Sequence, residues 1–153
     1  MLYDAISSFV DYIRANITGF DENNCKGFDD ERVLDYIVAE DMSPNPQQGC
    51  IVSYGGVMRP EQASEFGGLI VQWIIIVSAF FPLVGSADDV QAQIAVGYAF
   101  IENLMNIVIA DSTLGGQVMD CVILDGETPM EYTRNGVNKF LLISTRFTIT
   151  ENI

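Results

Sequence analysis

The sequence predicts an α+β domain: a mainly antiparallel sheet with a long central strand, packed by an N-terminal helix and a long middle helix. Three stretches carry that expectation. Residues 2–17 place apolar side chains at helical spacing, residues 67–85 form an uncharged run rich in β-branched side chains, and residues 86–110 join a capping signal to a helical stripe. Two further runs, 118–124 and 139–150, have the composition of strands. At 153 residues the whole chain, 1–153, is expected to form a single domain, long enough to bury roughly two-thirds of its unfolded surface.

In residues 2–17, Leu2, Ile6, Phe9, Val10, Ile13 and Ile17 share one side while Asp4, Ser7, Asp11 and Arg14 take the other. That is an amphipathic helix, closed by Thr18-Gly19. Residues 19–49 are polar and acidic. DENNCKGFDDER spaces Asp21 and Asn23 as a calcium loop would, but its sixth position is Lys26 rather than Gly and its twelfth is Arg32 rather than Glu, so a solvated loop is expected. Residues 31–41 read either as a helix or as a short edge strand, and SPNPQQG is a turn-rich connection.

CIVSY, residues 50–54, predicts a strand ended by Gly55-Gly56. A long loop or hairpin near 55–68 then leads into the apolar run, and its tip puts Arg59, Glu61, Glu65 and Phe66 where partner contacts concentrate. With Trp73 and Phe80 on the long strand, these residues are the candidate oligomer or partner interface.

As a helix, residues 67–85 would rise roughly 28 Å, close to the thickness of a hydrocarbon core. A strand fits better. Ile70–Val77 is mostly β-branched, the nearest basic residues are Arg59 and Arg134, and the run leaves through Pro82 into Gly-Ser-Ala-Asp-Asp. Val71, Trp73, Ile75, Val77, Ala79 and Phe81 point one way, and Ile70, Gln72, Ile74, Ile76, Ser78 and Phe80 the other. Both faces are mostly apolar, which predicts helices over one and a further body, such as a second subunit, over the other.

Ser86 is the expected N-cap of the middle helix, with Asp88 and Asp89 in the first turn where the helix dipole favours carboxylates. Val90, Ile94, Tyr98, Ile101, Met105 and Val108, with Leu104 beside them, form its expected sheet-facing stripe, opposite Asp88, Gln91, Ala95, Glu102 and Asn106. Gly97 signals a close approach to the strand below. The last two strands, Val118–Leu124 and Lys139–Thr150, are joined by a loop holding Gly126, Pro129 and Asn135-Gly136, so an antiparallel pair is expected. In the second, Leu141, Ile143, Thr145, Phe147 and Ile149 alternate with Ser144, Arg146, Thr148 and Thr150, leaving one face wet.

The composition narrows function. Apolar residues make up 49% and charged residues 18%, a low charged share that points to surface buried by self-association. The net charge of −14, from 21 acidic and 7 basic residues, argues against wrapping nucleic acid, although an acidic conduit would let DNA pass without sticking. Acidity also keeps an apolar protein soluble. The opening MLYDAISSFVDYI has no basic start, so an intracellular origin is expected. Cys25, Cys50 and Cys121 are widely spaced, without a CxxC pair and with no histidine in the chain, which reads as neither a disulfide framework nor a zinc site; Cys121 is expected in the core. Without histidine no Ser-His-Asp or Cys-His nucleophile can form, and none of the three Gly-Gly pairs carries a phosphate-loop signature. No enzyme activity, cofactor or metal is expected.

The order of elements resembles the tail terminator proteins of long-tailed, siphovirus-type bacteriophages. The residues that carry the likeness are PNPQQGCIVSYGG, WIIIVSAFFPLVGSADDV, DSTLGGQV after the helix, and the terminal KFLLISTRFTIT. The resemblance implies a structural virion protein, without catalytic residues, assembled in the host cytoplasm. It implies a ring of copies of the chain, usually six, at the head-proximal end of the tail tube. The ring ends tube polymerisation and joins tail to head, so its partners would be the tail tube protein and the head-tail connector, with DNA only as passing cargo. Two other readings stay open: another head-tail joining or neck protein, and a membrane-associated acidic protein spanning at 67–85.

Overall fold

The hydrophobic run at the centre of the sequence is a strand, paired along both edges. In the computed structural model, which describes residues 2–28, 46–57, 70–124, 130–135 and 138–152, the elements follow as α1 (Leu2–Asn16), β1 (Cys25–Gly27), β2 (Gly49–Val57), β3 (Ile70–Pro82), α2 (Ala87–Ala110), β4 (Asp120–Ile123), β5 (Met130–Asn135) and β6 (Asn138–Asn152). The sheet runs β1-β2-β3-β6-β4, with β5 also paired to β6. Only β1 is parallel to its neighbour; every other pairing is antiparallel. β3 lies against β2 from Gly49↔Phe80 to Val57↔Trp73 and against β6 from Ile70↔Asn152 to Pro82↔Phe140. Its backbone groups are therefore satisfied by ladders, and residues 70–82 do not form a spanning helix.

Both helices lie on the same face of the sheet. Phe9 of α1 packs against Phe147 of β6 with ring centroids 5.0 Å apart, and Phe100 of α2 packs against Phe81 of β3 at 5.8 Å. The Tyr12 hydroxyl ties the helices together by donating to the Ile107 carbonyl at 2.6 Å. Ile75, Val77, Ala79 and Phe81 of β3 and Leu141, Ile143, Phe147 and Ile149 of β6 complete one hydrophobic core beneath them. Burying a side chain such as Phe9 or Ile75 contributes on the order of 2–3 kcal/mol from area alone.

The expected cap of α2 is present: Ser86 Oγ accepts from the Asp89 N–H, and the Asp89 carboxylate accepts from the Ser86 N–H at 2.9 Å. Gly97 touches the sheet as expected, since an added Cβ would lie 2.9 Å from Leu141 Cδ2 and 3.0 Å from Ile143 Cδ1. The expected stripe is displaced. Gly97, Phe100, Leu104 and Val108 are the buried line, while Tyr98 is 53% exposed, because the helix comes closest to the sheet along the side that carries no side chain at Gly97. Among the described residues α2 is also the one helix long and apolar enough to cross a membrane, by length and composition only.

Three expectations about strands are corrected. Gly55-Gly56 does not end β2, which bulges there and continues to Val57. A Cβ on Gly55 would fall 2.8 Å from Ile76 Cγ1, so the glycine makes room for the neighbouring strand instead of breaking its own. Part of the expected loop after α1 is β1, registered Cys25↔Cys50, Lys26↔Ile51 and Gly27↔Val52. The stretch between the last two expected strands holds β5, which forms its own antiparallel pair with β6 from Asn135↔Asn138 to Met130↔Ile143. The 31–41 segment lies outside the described residues.

Candidate interaction surface

With α1 and α2 on one side, the other side of the sheet has no helix from the described part of the chain. Alternation along β3 sends Ile70, Gln72, Ile74, Ile76, Ser78 and Phe80 to this side, and all six are half-buried. The register places Ile51 beside Ser78, Arg146 beside Ile76, Thr148 beside Ile74 and Leu142 beside Phe80. Ile74, Ile76, Phe80 and Leu142 take no part in the core. Ser78 Oγ and Ser144 Oγ share a hydrogen bond of 3.0 Å, which gives each hydroxyl of this polar pair a partner among apolar neighbours.

Several side chains of this face have local cover. Ile51, Phe140 and Thr148 are buried, Phe140 with its ring edge-on to Phe80 at 5.5 Å. Thr148 therefore departs from the wet face expected for β6, whereas Arg146 is exposed. Charge is scarce in β3, where no residue from Ile70 to Pro82 ionises, and the acidic positions in register with this side lie on the flanking strands, Asp120 opposite Thr150 and Glu131 opposite Leu142. The outcome is a surface that is apolar and hydroxyl-bearing in a chain whose net charge is −14.

Of the expected interface residues, two can be placed, and those two do not share a face. Arg59, Glu61, Glu65 and Phe66 lie outside the described residues. Trp73 and Phe80 sit on opposite faces of β3. Trp73 packs against the core, donates from Nε1 to Glu151 Oε2 at 2.8 Å and stands edge-on to Tyr54 with centroids 6.4 Å apart. Phe80 belongs to the open face. The signal for that face was already in the alternation, which separates odd from even positions whatever covers them.

Carboxylates with shifted titration serve structure. Asp111, which ends α2, accepts from the Thr113 hydroxyl at 2.6 Å, from the Thr113 N–H and from the Gly115 N–H, and these bonds hold its pKa below the usual carboxylate value. They shape the turn in which Leu114, Gly115 and Gly116 all take positive φ. Ser86 lowers the Asp89 pKa in the same way. Cys121 is in the core as expected, its thiol pushed up to about 12 by burial and by neighbouring Asp120. No group of three or more metal-ligating side chains occurs among the described residues. No protein-family model matches the sequence, and no curated protein matches it either.

Proposed function

We propose that the chain is a structural virion subunit of the tail-terminator kind, which joins further copies of itself into a ring, ends tail-tube polymerisation at the head-proximal end and meets the head connector. The observation that supports this reading is the open face of the sheet. A row of half-buried Ile74, Ile76, Phe80 and Leu142 outside the core is surface that a neighbouring subunit would bury. A second copy is the occupant that the charge favours. Two chains of charge −14 repel through acidic surface, and the uncharged strand β3 at the centre of this face is where they meet with least repulsion. The order of elements supplies the phage context.

Light scattering on detergent-free protein, followed by binding to purified tail tubes, tests the reading. A soluble species several times the chain's mass that binds tube ends and blocks further addition of tube protein supports it. A species that stays monomeric with tubes present and leaves their growth unchanged contradicts it.

A further inference from the structure

We propose that Cys25 and Cys50 are a redox-modification site, at which a peroxide joins the two thiols into an intramolecular disulfide that bolts the short edge strand β1 to β2. The two cysteines are direct partners in the parallel ladder. Neighbouring strands run about 4.8 Å apart, and a disulfide accepts Cα separations of about 4.4–6.8 Å, so the backbone already has a suitable spacing. Both side chains are fully buried and belong to the same core face, and both thiols are free.

The surroundings separate their roles. The Cys50 thiol donates to the Cys25 sulfur, which lowers the Cys25 pKa against the opposing effect of burial, and the Arg14 charge adds to the lowering. Cys50, as donor and fully buried, is pushed the other way. Arg14 is held in place by donating from Nε and Nη2 to the Cys25 carbonyl, at 2.9 and 2.6 Å. With the Arg14 guanidinium fixed beside it, Cys25 is the attacking thiolate and Cys50 the resolving thiol. Access comes through local opening of β1, which is three residues long and, among the described residues, pairs within the sheet with β2 alone.

The chemistry balances with hydrogen peroxide as oxidant. The Cys25 thiolate attacks one peroxide oxygen, the O–O bond breaks, and with one proton taken up the products are a sulfenic acid and water. The Cys50 sulfur then attacks the sulfenic sulfur; the S–O bond breaks, the Cys50 proton leaves with the hydroxyl as water, and the S–S bond forms. Two thiols lose two electrons in all, and one peroxide becomes two waters.

The test uses the whole reduced protein, treated with hydrogen peroxide, then denatured for thiol counting and digested with a glutamate-specific endopeptidase for mass mapping. The expected product keeps one titratable thiol, Cys121, and contains a reducible link between the peptide ending at Glu31, which holds Cys25, and the peptide ending at Glu61, which holds Cys50. Its melting temperature rises above that of the reduced form, and dithiothreitol reverses both changes. Cys121→Ser is expected to form the same link and to keep no titratable thiol. The proposal is overturned if three thiols remain after a treatment that fully oxidises dithiothreitol. It is equally overturned if the link involves Cys121 or a second chain, or if Cys25 gains two oxygens with no link. The mapping on wild-type protein decides the matter even where Cys25→Ser or Cys50→Ser fails to fold.

Discussion

On β3, Ile75 is fully buried in the core with both helices, while Ile74 and Ile76 on either side of it are half-buried on a face that neither α1 nor α2 covers. The side chains are the same and their surroundings differ. One face is covered by the two helices and accounts for folding; the other has no helix over it among the described residues and accounts, in the proposed reading, for assembly. Apolar content by itself does not separate the two, since alternation reports which residues share a side and says nothing of what lies over it.

Substitutions can break that comparison or sharpen it. The largest effect is expected from Ile75→Asp, which buries a carboxylate with no partner and costs about 4–5 kcal/mol or more, enough to remove the cooperative thermal transition of a marginally stable domain. A soluble variant with a sharp melting curve contradicts the core assignment. Gly97→Leu comes next. It drives a side chain into Leu141 and Ile143 at the closest approach of α2 to the sheet, and overpacking of this kind costs about 1–3 kcal/mol, readable as a lower urea midpoint.

Asp111→Ala is expected to act more gently and with a defined pH dependence. Because the folded-state pKa of Asp111 is lowered by its bonds to Thr113 and Gly115, its contribution is present above the ordinary carboxylate pKa and is lost as pH falls through the lowered value. Melting temperatures of wild type and variant should differ at neutral pH and converge in strong acid. A gap that widens on acidification contradicts the assigned role.

Much of the fold was legible because its signals are local. The Ser86-Asp89 cap, the alternation in β3 and β6, and the spacing of Ile6, Phe9, Val10 and Ile13 each depend on a few neighbouring residues. What was missed is nonlocal or too short. β1 spans three residues, too few to show a period, and its parallel partner lies 25 positions away in the register Cys25↔Cys50. Gly97 was read as a mark of close approach but left out of the stripe, although it lies on the buried line with Phe100, Leu104 and Val108. In the same way Gly55, which by its sequence marks the end of a strand, is where Ile74 and Ile76 crowd in. Of the candidate interface, only the two-sided character of β3 could be read, because alternation reports which residues share a side and not what covers them.

The most direct test compares the wild type with Ile76→Asp by light scattering coupled to size exclusion. The new carboxylate would stand beside Arg146 on the neighbouring strand and outside the core, so the fold is expected to survive with a melting temperature close to that of the wild type. The account predicts an oligomeric wild type and a folded, monomeric variant. An Ile76→Asp protein that is folded and keeps the full wild-type mass would contradict the assignment of this face to self-association.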